Sequence, residues 1–310
     1  MKKTFRNVLL ALLLPFSLST GHATGSGMTP LPDPAGLQLA SVHAVVAPLH
    51  GGTTLYTKFE DRPVPIASIT KLMTAMVVLD SGQSLEEWLP IVEREDAPPK
   101  NSFSRIRPGS EARRGDLLRI TLMSSENLAA YVLARHHPGG REAFITAMND
   151  KARTLGMQQT RFVDPSGLWP ENRASASDLL KMVRAAYAYP EIREMSTDSN
   201  RRVHFRSPRY GLDFGNTNAL VRGSRWTVDL SKTGYLNEAG RCLVMVADIG
   251  GEPIAMVLLD SFGTRTPLGD AGRIRRWLET GSGGTVAGAA FDYERSRAAA
   301  LAGAGAAAGQ

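Results

Sequence analysis

Hydrophobic positions change period along the chain, and the change divides it. Leu39 to Ala47 alternates loosely in Val and Ala, Pro48 to Gly52 turns, and Thr53 to Phe59 runs on as a second extended stretch, which predicts a hairpin. Leu72, Ala75, Met76 and Leu79 then recur at spacings of three and four, the stripe of an amphipathic helix that stops near Asp80-Ser81-Gly82. Helical patterns follow over Gly115 to Met123, Leu128 to Arg135 and Arg141 to Leu155, and another opens at Ser177-Asp178 and closes before Pro190. Asn101 to Gly109 reads as a strand and turn, and Phe162 to Leu168 as a turn-rich loop. Strand texture returns at Val203 to Phe205, Trp226 to Leu230, Arg241 to Ile249 and Pro253 to Leu259, before a last helix over Ala271 to Leu278. The order predicts a mixed α/β fold: both chain ends build one antiparallel sheet with flanking helices, and an all-helical lobe, about residues 84–190, is inserted between them.

The two extremities depart from this texture. Met1-Lys2-Lys3-Thr4-Phe5-Arg6 is a positive leader, Val8 to Leu18 an apolar run too short to span a bilayer, and Gly21-His22-Ala23 a small-x-small cleavage site. Residues 1–23 are therefore expected to be a signal peptide cut near Ala23, with an exported, periplasmic mature protein and no transmembrane segment in it. Residues 24–36 have linker composition, which leaves 37–280 as the folded domain. From Gly281 onward a Gly-Ser run and an Ala/Gly tail predict disorder over 281–310, with no membrane-anchoring helix.

Composition narrows the class. With 43% hydrophobic and 21% charged residues the chain has the balance of a globular protein with a sizeable core. Loss of the leader removes three cations and no acid, so the formal charge falls from +6 to +3. No basic run with interleaved aromatics supports a nucleic-acid partner. Glu86, Glu87, Glu93, Glu95 and Asp96 lack histidine and metal-ligand spacing, which favours a solvated face and no metal. Cys242, the single cysteine, lies in an apolar strand and reads as a buried hydrophobe. His136-His137 precede Pro138-Gly139 at a helix end, where imidazoles cap carbonyls.

Three short motifs carry chemistry. Ser68-Ile69-Thr70-Lys71 opens the first helix, and a spacing of three sets the Lys71 amine beside the Ser68 hydroxyl. A serine becomes a nucleophile when a base takes its proton, and lysine is that base only if burial or a second cation makes it neutral near pH 7. Ser125-Glu126-Asn127 lies between two helices, with a hydroxyl to relay a proton and an amide to hold a substrate amide or the lysine. Lys232-Thr233-Gly234 lies on or beside the strand starting at Trp226; it offers a fixed positive charge, a hydroxyl donor and close backbone approach.

Ser-x-x-Lys, Ser-x-Asn and Lys-Thr-Gly in that order resemble the penicillin-binding proteins and serine β-lactamases. The longer matches Ser68 to Asp80, Leu122 to Ala130, Phe162 to Leu168 and Ser231 to Tyr235 resemble the low-molecular-mass D-alanyl-D-alanine peptidases, nearest the penicillin-binding protein 7 type of endopeptidase. The resemblance implies a β-lactamase/transpeptidase-like fold and an acyl-enzyme on Ser68 with Lys71 as its base. It gives Ser125 proton transfer to the leaving amine, Asn127 the substrate amide, and backbone N–H groups of Ser68 and Tyr235 the oxyanion. Lys232, Thr233 and Gly234 then bind substrate. Such relatives often add an arginine beyond the last long strand; Arg265 is the candidate, equally readable as a solvated turn residue.

The implied partners are peptidoglycan stem peptides, with β-lactam antibiotics as covalent inhibitors, and no cofactor is implied. The leading expectation is a D,D-endopeptidase, favoured because residues beyond 280 leave no room for the extra β-rich domain of larger carboxypeptidases. A D-alanyl-D-alanine carboxypeptidase and a non-catalytic wall-binding protein are the alternatives. Glu171 is followed directly by Asn172, which fails the spacing a β-lactamase uses for its deacylating base, so slow loss of a penicilloyl group is expected.

Overall fold

The computed structural model describes residues 32–95 and 102–307, with side chains through Leu301. The stretch expected to be a signal peptide, most of the expected 24–36 linker, and the first residue of the stretch expected to be a strand at 101–109 lie outside the described residues.

In chain order the elements begin with β1 (His43–Pro48), β2 (Tyr56–Lys58), β3 (Val64–Pro65), α1 (Thr70–Asp80), β4 (Trp88–Pro90), β5 (Glu111–Arg113), α2 (Arg114–Met123), α3 (Asn127–Arg135) and α4 (Gly140–Thr154). They continue with β6 (Arg173–Ala174), α5 (Ala176–Tyr187), α6 (Pro190–Thr197), β7 (Asn200–Phe205), β8 (Tyr210–Gly215) and the single turn α7 (Ala219–Arg222). The chain closes with β9 (Val228–Leu236), β10 (Gly240–Ile249), β11 (Glu252–Ser261), α8 (Thr266–Thr280) and α9 (Gly288–Ala307).

Both chain ends do build one sheet, a five-stranded antiparallel array in the order β2-β1-β11-β10-β9. Its inner strands are buried on both faces, which explains their near-continuous apolar sequence. On one face Val45, Val244, Val246 and Val257 join the core formed with α1 to α6. On the other, Val46, Met245 and Met256 pack against Ala271, Ile274 and Trp277 of α8. The period-2 alternation then fixes the edge strand β9: Lys232 is paired opposite Val244 and so faces the helical side. That places a lysine where the helices meet the sheet.

Four expectations need correction. Residues 102–110 form no strand; the nearby pairing is β4 with β5, a short hairpin-like clip. Val203 lies in β7, which among the described residues pairs with β8 alone, in a separate two-stranded sheet. The linker's last residues, Pro34–Gly36, form a 3-10 turn capped by Asp33, and Gly283 N–H donates to the Gly36 carbonyl at 2.9 Å.

The tail beyond 281 is not featureless either. It carries α9, pinned where Tyr293 Oη donates to Asp260 at 2.6 Å, Arg297 pairs with the same carboxylate at 2.6 Å and Glu294 pairs with Lys58 at 2.8 Å. Alanine looks like low complexity by composition, yet it is the strongest helix former, and these partners supply the docking.

Candidate active site

Ser68 lies on a 3-10 turn, Ala67–Ile69, that runs straight into α1, one step ahead of the α-helix that periodicity predicts for it. Ala67 takes the left-handed backbone conformation (φ 48°), and Thr70 Oγ1 holds the turn by donating to the Ala67 carbonyl at 2.8 Å. Lys71 follows in the first turn of α1, with none of its surface exposed. Its Nζ stands 2.8 Å from Ser68 Oγ, 2.8 Å from Asn127 Oδ1 and 2.5 Å from the Ser166 carbonyl.

Burial brings the Lys71 amine down from 10.5 to about 7, against the opposing pull of Asp164 and Glu126. A neutral amine has two hydrogens and one lone pair. Asn127 Oδ1 and the Ser166 carbonyl are acceptors, so they take the hydrogens; the lone pair is left for the Ser68 hydroxyl, which then donates to it. The geometry therefore orients the base towards the serine proton.

The Ser166 carbonyl is held from behind. Asp164 accepts from the backbone N–H of Ser166 at 2.8 Å and of Gly167 at 3.0 Å, and also from Ser166 Oγ. Thr74 of α1 ties the same loop by donating to the Pro165 carbonyl at 2.6 Å. Gly167 has φ 78°, and a Cβ there would sit 2.0 Å from the Ala67 carbonyl oxygen, so only glycine lets the loop lie against the Ser68 turn. The turn chemistry of Phe162 to Leu168 was legible in the sequence, but a backbone carbonyl as third partner of Lys71 was not.

Ser125 sits between α2 and α3 with φ 61°, and Glu126 caps α3 by accepting from Ala129 N–H at 2.6 Å. Lys232 Nζ donates to Ser125 Oγ at 2.9 Å and to the Thr233 carbonyl at 2.9 Å. Its motif alone predicts a fixed charge on Lys232. Burial, and then the charge on Lys71, push it well below the ordinary lysine range, so that charge is conditional.

Gly234 brings β9 against the serine turn: a Cβ there would stand 3.0 Å from the Ile66 carbonyl and 3.1 Å from Ser68 N. Thr233 Oγ1 reaches outward and donates to Thr217 Oγ1 at 2.6 Å.

These residues open on one cavity of about 840 Å³, lined by Ser68, Ser125, Asn127 and Thr233 to Tyr235, with Arg265 on its wall at the start of α8. All nine sequence candidates except the buried amines of Lys71 and Lys232 line it directly, and those two bond to its lining. Arg222, Arg241 and Thr217 line it as well, and no motif marked them. Among the described residues no group of three His, Cys, Asp or Glu side chains could hold a metal ion.

The remaining sequence readings fall on structural roles. Cys242 is buried, and burial pushes its thiol up to about 12. His136 closes α3 with its ring at the Pro90 carbonyl, and Asn172 holds the Asp164 loop.

A sheet flanked by helices, with Ser, Lys, Ser and Lys gathered at its edge, defines a serine-type acyl-transfer site of the penicillin-binding kind. The chain belongs to the peptidase S11 family, D-alanyl-D-alanine carboxypeptidase, whose family model matches residues 29–263. Among its relatives are a D-alanyl-D-alanine endopeptidase of Pseudomonas aeruginosa, 48% identical across 94% of this chain and 95% of that one, and one of Escherichia coli K12, 43% identical across 96% and 95%. Penicillin-binding protein D2 of Listeria monocytogenes, solved in a cefotaxime-bound form, superposes with a TM-score of 0.67 at 29% identity, over 79% of this chain and 98% of that one. The protein is thus a serine hydrolase of the D-alanyl-D-alanine peptidase family with a penicillin-binding fold.

Proposed function

We propose that the protein is a periplasmic D,D-endopeptidase that cuts D-alanyl-diaminopimelate cross-links in peptidoglycan through an acyl-enzyme on Ser68. The observation that carries this reading is the 2.8 Å approach of Lys71 Nζ, buried and near neutrality at pH 7, to Ser68 Oγ. As Ser68 Oγ attacks the D-alanyl carbonyl, its proton passes to Lys71 Nζ. The oxyanion is met by the N–H groups of Ser68 and Tyr235; one such donor is worth about 3 kcal/mol of barrier. The intermediate collapses with cleavage of the C–N bond, and the leaving amine takes a proton through Ser125. Water then attacks the ester, Lys71 again accepts a proton, and Ser68 is released together with a free D-alanyl carboxylate.

Asn127 Oδ1 is engaged by Lys71, which leaves its amide hydrogens for the substrate. Lys232, Thr233 and Arg265 meet the carboxylate beside the scissile bond. That anion restores the charge that burial takes from Lys232, so substrate binding itself switches on the cation. β-Lactams enter as substrates whose acyl group leaves slowly, in keeping with the cefotaxime-bound relative. The endopeptidase names of relatives matching 94% and 96% of this chain support the cross-link as substrate. The leader at residues 1–23 supports export.

The test is incubation of purified mature protein with cross-linked muropeptide dimers, followed by mass spectrometry. Monomers are expected; free D-alanine from uncross-linked pentapeptide as the only product would overturn the endopeptidase assignment in favour of a carboxypeptidase.

A further inference from the structure

The cavity is larger and more cationic than hydrolysis beside a single carboxylate demands. About 840 Å³ is the size of a site for a whole peptide segment, whereas a terminal D-alanine leaving group is a handful of atoms. Besides Arg265, two arginines from separate elements line it: Arg222 at the end of α7 and Arg241 at the start of β10. Elsewhere the arginines commonly meet acids, as Arg114 meets Glu87 and Arg119 meets Glu194. These two do not, among the described residues. Arg222 donates to the Asn216 carbonyl at 2.9 Å, and Arg241 lies over the Tyr235 ring at 3.8 Å. Both contacts position a guanidinium without neutralising it, which leaves its charge for an incoming anion.

Position orders them relative to the chemistry. Asn216 and Thr217 are adjacent, and Thr217 Oγ1 accepts from Thr233 Oγ1, the hydroxyl assigned above to the carboxylate beside the scissile bond. Arg222 is therefore tied, through Asn216 and Thr217, to the wall of the cavity that Thr233 lines. Arg241 stands opposite Tyr235 on the neighbouring strand and closes the same cavity.

We propose that Arg222 and Arg241 form an anion subsite for a leaving peptide that carries further carboxylates remote from the scissile bond, and that they set the preference for a cross-linked stem over a single terminal amino acid. The proposal rests on the endopeptidase reading. A stem peptide ending in its own carboxylate supplies such a group; D-alanine, whose one carboxylate goes to Lys232 and Thr233, does not.

Two synthetic dimers test this, one with free carboxylates and one amidated on the leaving stem at the carboxylates remote from the cut. Arg222→Gln and Arg241→Gln are each expected to lower kcat/KM on the free dimer by about fivefold, chiefly through KM, as for solvent-facing ion pairs. The deficit should shrink on the amidated dimer and in about 0.5 M salt, where exposed charges are screened. Equal losses on both dimers would assign the arginines a structural role and overturn the proposal, as would no loss on the free dimer. If the wild-type protein cuts neither dimer while Ser68 still takes up penicillin, the endopeptidase reading falls first and the subsite with it.

Discussion

Lys232 Nζ donates to Ser125 Oγ across 2.9 Å, although the two residues are 107 positions apart in the chain. The contact joins the edge strand of the sheet to the loop between two helices of the lobe. It also puts a second buried amine beside the Ser68–Lys71 pair, so charge on one lysine disfavours charge on the other.

The first consequence is a pH profile. Lys71 works as a base only when neutral, and its value is about 7, so Ser68 acylation by a fluorescent penicillin should fall about tenfold per pH unit below that point and level off above it. Lys71→Arg, which stays charged at any usable pH, should cost about 10²- to 10⁴-fold in acylation rate at pH 8. A flat profile between pH 5 and 8 would remove Lys71 from the role of base.

Stability should follow the same group with a definite sign. Folding lowers Lys71 from 10.5 to about 7, so between those values the unfolded chain binds a proton that the folded chain does not, and stability rises with pH. One such group contributes at most about 1.4 kcal/mol per pH unit. Tyr56, Tyr293 and Cys242, each raised to about 12, act in the opposite direction at higher pH, so the window is kept to roughly pH 7–8.5. In that window wild-type thermal stability should gain on Lys71→Met as pH increases; parallel curves for the two proteins would contradict the burial argument.

Ser125 couples strain to function. Its φ of 61° is a left-handed conformation that costs a non-glycine residue about 1–3 kcal/mol. Ser125→Gly should therefore unfold at a higher temperature than Ser125→Ala, while both lose the hydroxyl that meets Lys232 and with it about 10²-fold or more in turnover. Full activity in either variant would exclude Ser125 from the proton path.

Gly167→Ala tests the loop behind Lys71. The added methyl would meet the Ala67 carbonyl oxygen at 2.0 Å in a backbone conformation that already disfavours alanine, so a stability loss of about 3 kcal/mol or more is expected in denaturant titrations. Penicillin acylation should fall with it, because the Ser166 carbonyl cannot then stay at Lys71.

α9 gives a prediction outside the site. Asp260 is buried, has φ 53°, and takes a hydroxyl donor from Tyr293 and a guanidinium from Arg297 on that helix. Removing residues 286–310 should leave its carboxylate unpaired and lower stability by about 1–3 kcal/mol, read as a drop in Tm. An unchanged Tm would make the helix a passive appendage.

How far the sequence reached differs between these elements. Ser68 and Lys71 lie three apart in one continuous helical stretch, so their proximity follows from helical geometry alone, and the strands from Gly240 to Ser261 announce themselves by apolar runs that cover both faces of a sheet. The order of the three motifs added the chemistry. Beyond that, local pattern misled wherever docking outweighed composition: α9 reads as an Ala/Gly tail until Asp260 and Lys58 are brought beneath it, and β7 reads as part of the main sheet although it pairs with β8 in a sheet of its own.

The sequence by itself determined which side chains were available and which of them share a helix turn or a strand face, because periods of 3.6 and 2 are properties of the local backbone. Only the tertiary structure decided that Lys71 is buried enough to be a base, that Ser166 offers it a carbonyl, that Lys232 reaches Ser125, and that Arg222 and Arg241 line the same cavity. Burial and long-range contact depend on how all the elements close on one another, and no window of neighbouring residues contains that information.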